Sequence, residues 1–167
     1  LNGYGAIFYR NTISSGVVPQ LSVITGPTAG GAVYSPALTD YIFMVEGTGI
    51  MHITGPAVIK AVTGEEVSSE ELGGSMTHNT KSGNAHFTAK TEDECFAQVR
   101  RLLGYLPLNN LEGAPVKESG DDPLREDLQL RTIVPTNPNK GYDMRDVLRR
   151  VLDDGDFFEV QELWARN

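Results

Sequence analysis

The chain has 167 residues, 40% hydrophobic and 22% charged, which fits one soluble globular domain or pieces of two larger ones and leaves little room for disorder. A formal net charge of −8, with basic residues scattered apart from the pairs Arg100-Arg101 and Arg149-Arg150, argues against nucleic acid as a partner; both pairs read as solvated helix faces. No window approaches the roughly eighteen apolar residues of a membrane span and no basic-then-apolar leader opens the chain, so a cytoplasmic location, or the mitochondrial matrix in a eukaryote, is the default expectation.

Residues 4–14, YGAIFYRNTIS, are expected to form a helix with Ile7, Phe8 and Ile13 close together on its projection, stopped by Gly16. QLSVIT at 20–25 is β-branched and reads as a buried strand running into Gly26. Further strand pieces follow at 41–46 (YIFMVE) and 50–53 (IMHI), with Gly47 and Gly49 supplying the turn between them. Pro56 is then placed to begin a short helix over AVIKAV. LGGSMTHNTKSGNAH, residues 72–86, reads as a glycine- and serine-rich loop carrying His78 and His86.

The clearest helix spans 91–106. Thr91 and Glu94 have capping-box spacing, Phe96, Val99, Leu102, Leu103 and Leu106 recur at helical intervals, and Pro107 is the stop. Cys95 falls inside it as the only cysteine, which excludes an internal disulfide and a thiolate metal cluster and suggests a buried helix residue. From 107 to 142 prolines and acidic residues replace periodicity, as in a connector. Met144, Val147, Leu148, Val151 and Leu152 then outline a second amphipathic helix, and FFEVQ at 157–161 suggests a strand. A lone helix and strand cannot bury a core, so the chain reads as a segment spanning a domain boundary.

The stretch with most chemical content is QLSVITGPTAGGAVYSPA, residues 20–37. Pro27 drives Gly26 out of the helical region, so the chain leaves the strand end extended. Gly30 and Gly31 permit positive φ and a close approach, because no Cβ stands between backbone and ligand. A short helix starting near Gly31 would leave its first amides unpaired, and two such amides aimed at one point form an oxyanion hole. Other motifs fail. A phosphate loop needs lysine where Ala32 stands, the dinucleotide fingerprint needs glycine where Thr28 stands, and no nucleophile elbow is present. A tight turn with glycine used only for packing remains open. His52, His78 and His86 have no metal-pair spacing, although a spatial cluster stays possible.

GPTAGGAVYSPALTDYIFMV, ITGPAVIKAVTGEEVSSEELGGSMTHNTKSG, YLPLNN and TIVPTNPNKGYDMRDV, in that order, resemble the carboxyltransferase component of biotin-dependent acyl-CoA carboxylases, most like the propionyl-CoA carboxylase β chains. The resemblance covers essentially the whole chain. It implies an α/β fold of the crotonase type, built twice in tandem, of which this stretch is part: residues 1–118 the last half of an N-terminal domain, 119–142 a connector, and 143–167 the start of a C-terminal one.

The resemblance further implies biotin, carried as carboxybiotin by a biotin carboxylase/biotin carboxyl carrier partner, and a short-chain acyl-CoA such as propionyl- or acetyl-CoA. The two meet at an interface between subunits of a homo-oligomer. The amides of Gly30 and Gly31 would bind the ureido oxygen, with Ala29 and Ala32 flanking, and no metal is called for. Residues 153–167 would lie toward the acyl-CoA. A decarboxylase or transcarboxylase subunit using the same half-reaction is the alternative within the family, and a non-catalytic assembly module of the same fold the alternative outside it. These 167 residues alone are expected not to catalyse the transfer.

Overall fold

A computed structural model describes residues 2–166 of the chain, which form two compact units. One runs up to Pro115 and takes in the stretch from Val160 onward; the other is Val116–Glu159.

The first unit opens with helix α1, Asn2–Ser14, closed by Gly16 at φ +71°. Strand β1, Leu21–Ile24, follows. The extended path after Gly26 is itself a strand, β2, Pro27–Ala29, which leads into a 3-10 turn, Gly30–Val33, and the one-turn helix α2, Tyr34–Ala37. Next come β3, Tyr41–Val45, and β4, Ile50–His52. These two do not pair with each other although one glycine-bearing turn joins them. β1, β3 and β5 (Phe87–Ala89) form a parallel sheet in the order β1-β3-β5, with Leu21 opposite Tyr41 and Phe43 opposite Phe87. β2 and β4 form a second parallel pair, Ala29 opposite His52.

The central strand explains its own sequence. Alternate residues of β3 point to opposite faces. Ile42 and Met44 join Ile24, Val33, Met51 and Ala85 in one cluster, while the Phe43 ring stacks on Phe87 at 4.5 Å. Both faces are covered, so YIFMV is apolar throughout and does not alternate.

Pro56 does begin a helix, α3, Pro56–Thr63. Residues 72–86 are more helical than a loop: α4, Ser69–Gly73, and α5, Ser75–Thr77, run into a π-turn, His78–Ser82. A reciprocal capping box between Ser68 and Glu71 starts the run, and the backbone and hydroxyl bonds from Ser68 hold the Glu71 carboxyl below its usual range. α6 is Glu92–Leu103, ending three residues before the expected Leu106, because the Tyr105 and Leu106 N–H groups bond the i−3 carbonyls of Leu102 and Leu103 and tighten the chain out of the α-helix. Only half of its capping box forms: Thr91 Oγ1 accepts from Glu94 N–H at 3.2 Å, but the Glu94 carboxylate accepts from Lys90 N–H instead. Cys95 is fully buried, as expected, and burial pushes its thiol up to about 11. Residues 157–161 form no strand. Gln161 turns through φ +57° and ties down by donating from N–H to the His86 carbonyl and from Nε2 to the Gly83 carbonyl.

The second unit holds α7, Leu130–Ile133, and α8, Met144–Val151. Asp143 caps α8, and its bonds to Arg145 lower its pKa. Arg149 pairs with Asp146, but Arg150 is not a solvated charge: it donates to Asp127 at 2.9 Å and to Gln129.

Candidate functional site

Ala29 closes β2 in extended conformation (φ −135°, ψ 157°) and is exposed. Gly30 follows at φ +60°, a half-buried position where any other residue would be strained. Gly31, Ala32 and Val33 then wind right-handed, with Gly31 exposed, Ala32 half-buried and Val33 in the core. A positive φ followed by a right-handed turn is the alternation from which anion-binding backbone nests are made. The Gly31 carbonyl is engaged by the Tyr34 N–H.

The two glycines differ in what requires them. Gly30 is dictated by its backbone angle. Gly31 has no positive φ, and a Cβ added there would meet only the Tyr4 ring at 3.9 Å, an ordinary contact. Packing inside this chain therefore does not require glycine at 31. A ligand coming close to the backbone would.

The surroundings of this turn were not visible as a site in the sequence. The stripe of α1 that faces it is Tyr4, Phe8 and Asn11, at i, i+4 and i+7; Phe8 and Asn11 are half-buried, while Tyr4, like Ile7 and Ile13, is exposed. Tyr4 and Phe8 stack at 5.9 Å, and Phe8 meets Tyr34 edge-on at 6.0 Å. Asn11 accepts at Oδ1 from the Ser35 hydroxyl and donates from Nδ2 to Gln20 Oε1, both at 2.9 Å, while Gln20 Nε2 returns a bond to the Asn11 carbonyl. The spacing 4-8-11 was the available signal.

The three histidines line one cleft of about 630 Å³, together with Val33, Met51 and Leu72. Each has a different environment. His78 is buried, bonded through Nε2 to the Met51 carbonyl at 2.6 Å and through Nδ1 to the Ser82 hydroxyl at 2.8 Å. His86 accepts the Ile42 N–H at Nδ1, and burial lowers its pKa. His52 Nδ1 is buried with no hydrogen-bond partner among the described residues. No group of three His, Cys, Asp or Glu among the described residues could hold a metal ion, and no described helix is long and apolar enough to cross a membrane.

Comparison with known proteins bears on this geometry. The family model described as a carboxyl transferase domain matches residues 1–167. The methylmalonyl-CoA decarboxylase subunit alpha of Veillonella parvula is 60% identical over the whole chain, and the propionyl-CoA carboxylase carboxyltransferase subunit of Haloferax mediterranei 59%. The chain spans about a third of their length, 33% and 32%. Among solved structures, transcarboxylase 12S with methylmalonyl-CoA bound superposes over 99% of the chain, and 32% of its own, with a TM-score of 0.94 at 48% identity. The β subunit of Pseudomonas aeruginosa geranyl-CoA carboxylase covers 93% of the chain, and 29% of its own, at 31% identity with a TM-score of 0.56. The partial α/β fold expected from the sequence is the one these structures share.

Proposed function

The chain belongs to the carboxyl transferase domain family, and from that membership we propose that it forms part of a biotin-dependent carboxyltransferase, in which the Gly30 and Gly31 amides face biotin. The observation that carries the assignment is Gly31: its backbone angle and neighbours leave room for a side chain, yet none is present. Ala29 and Ala32 flank the pair with nothing larger than a methyl group. These residues fit a flat cyclic urea that must come within hydrogen-bonding distance of the backbone.

Bound biotin supplies the carboxyl group and a ureido oxygen that becomes negative as that group leaves. The chain contributes fixed amide dipoles, which need no reorganisation while charge appears; losing one such donor typically costs about 3 to 4 kcal/mol of transition-state stabilisation. The positive φ of Gly30 sets the direction in which the pair points. This step asks for no titratable side chain. The same half-reaction serves a carboxylase, a decarboxylase or a transcarboxylase, and relatives named for the first two match at 59% and 60%. The acceptor or donor is a short-chain acyl-CoA, and a carrier protein delivers the biotin. Assembly of several copies is supported by the 12S relative, whose structure is described as a hexamer.

The test is Gly31→Val in the full-length protein. A branched side chain where biotin approaches should abolish turnover while assembly persists. Full turnover in a folded variant would instead favour the non-catalytic assembly module.

A further inference from the structure

Stabilisation by backbone dipoles works only if the amides are held still, within roughly half an ångström of the productive position. Glycine pairs are the least constrained part of any chain. The rigidity of residues 30 and 31 must therefore come from their two flanks. Upstream, β2 is locked to β4 through the pairs Pro27–Ile50, Thr28–Met51 and Ala29–His52. Downstream there is no strand, only one turn of α2, too short to be stable alone. Val33 and Pro36 are buried beneath that turn and Thr39 Oγ1 donates to the Pro36 carbonyl, but the polar tie from the turn to α1 is the bond from the Ser35 hydroxyl to Asn11 Oδ1, 24 residues away in sequence.

Asn11 is itself held from two sides. Its Nδ2 donates to Gln20 Oε1, and its carbonyl accepts from Gln20 Nε2. The Gln20 backbone in turn meets the start of β3: its N–H donates to the Asp40 carboxylate at 2.8 Å and its carbonyl accepts from Asp40 and Tyr41 N–H. The reciprocal bonds fix which end of the Asn11 carboxamide faces Ser35, so the clamp has one orientation. All three side chains are partly buried, which strengthens the bonds and penalises a half-broken network.

We propose that Asn11 is a positioning residue for the Gly30–Gly31 amide pair: through Ser35 it anchors the turn that aims those amides, and through Gln20 it refers that turn to the edge of the main sheet. The inference rests on the carboxyltransferase reading of the pair. It adds a residue whose own side chain touches neither biotin nor acyl-CoA.

The experiment uses the full-length protein with methylmalonyl-CoA and free biotin, followed as propionyl-CoA formed and normalised to folded protein. Asn11→Ala and Ser35→Ala should each lower kcat on the order of 10- to 100-fold, the effect of a displacement near 1 Å. KM for methylmalonyl-CoA should stay unchanged, since only transition-state contacts are lost. Ser35→Thr keeps the hydroxyl and should recover most of the rate, whereas Asn11→Asp keeps the acceptor for Ser35 but sets an oxygen against Gln20 Oε1 and should not. The double alanine variant should be no worse than either single one. Thr91→Ala, which removes the cap of the remote helix α6, controls for general destabilisation and should retain the parent kcat.

Unchanged kcat in Asn11→Ala beside an inactive Gly31→Val would overturn the positioning role alone. An equal fall in Thr91→Ala would also overturn it, by reducing the effect to lost stability. Full turnover in Gly31→Val would remove the reading of the amide pair as the biotin site, and the positioning role with it.

Discussion

Replacing Gly31 by alanine separates what the fold needs from what the ligand needs. The new Cβ would lie 3.9 and 4.0 Å from two carbons of the Tyr4 ring, which is ordinary van der Waals contact, and no other heavy atom outside the turn comes within 4 Å. No strain is created, because Gly31 lacks the positive φ of its neighbour. Alanine also narrows the unfolded chain's conformations, worth about 0.4 to 1 kcal/mol in favour of the folded state. At roughly 2 to 4 °C per kcal/mol for a chain of this size, the melting temperature should rise by about 1 to 4 °C. Thermal unfolding of the parent and variant side by side reads this directly, with Gly30→Ala as the contrast. At φ +60° that change costs about 1 to 2 kcal/mol and should lower the melting temperature. If Gly31→Ala also melts lower, by 2 °C or more, then the fold itself demands glycine at 31 and the close-approach reasoning is refuted.

Two further outcomes follow from close contacts and from burial. At Gly73 an added Cβ would stand 2.2 Å from the Met51 carbonyl oxygen, the same oxygen that His78 Nε2 reaches at 2.6 Å. Gly73→Ala must push α4 off β4 and disturb that bond, a loss of about 2 to 6 kcal/mol from overpacking and an unsatisfied buried group, seen as a lower urea midpoint; an unchanged midpoint would contradict the packing described. His86 has a folded pKa below its unfolded value near 6.5 because burial disfavours its cation, and the Ile42 N–H needs Nδ1 unprotonated. Its contribution is therefore complete above about pH 6.5 and is lost as pH falls from there toward the lower folded pKa. His86→Asn, which keeps an acceptor near the Nδ1 position, should be less sensitive than the parent between pH 7 and 5; parallel stability curves would rule this out.

Elements with their own local signals were legible in the sequence: α1 and its glycine stop, β1 and β3 from β-branched and aromatic runs, Pro56 at the start of α3, and α8 from its apolar spacing. The misjudged parts depended on partners distant in sequence. β3 and β4 look like a hairpin across Gly47 and Gly49, but each finds a parallel partner elsewhere, β1 with β5 and β2, which no local pattern encodes. The helical run over residues 69–82 was masked by its glycines and serines, since its stability comes from side-chain caps and from His78 and Asn79 bonding to Met51 and Ser75 carbonyls. FFEVQ has strand composition, yet positive φ at Gln161 and its bonds to His86 and Gly83 override it.

The candidate site divides along the same line. Gly30 and Gly31 could be singled out because glycine pairs after a strand are rare enough to ask for a reason. The spacing 4-8-11 could place Asn11 on one stripe of α1 but not its bonds to Gln20 and Ser35, because amides and hydroxyls carry no intrinsic mark of what they hold. A site whose working groups are peptide N–H donors has no perturbed acid, nucleophile or metal ligand to announce it. The histidine cleft is the reverse case: it gathers three titratable rings, two of which are already committed to the Met51 carbonyl and the Ile42 amide. Those bonds brace β3 and β4, and the strand they hold in β4 is the one against which β2 delivers the chain to Gly30. The histidines thus bear on the amide pair through the sheet, and removing His78 should disturb the site through the position of Met51 and its register partner Thr28.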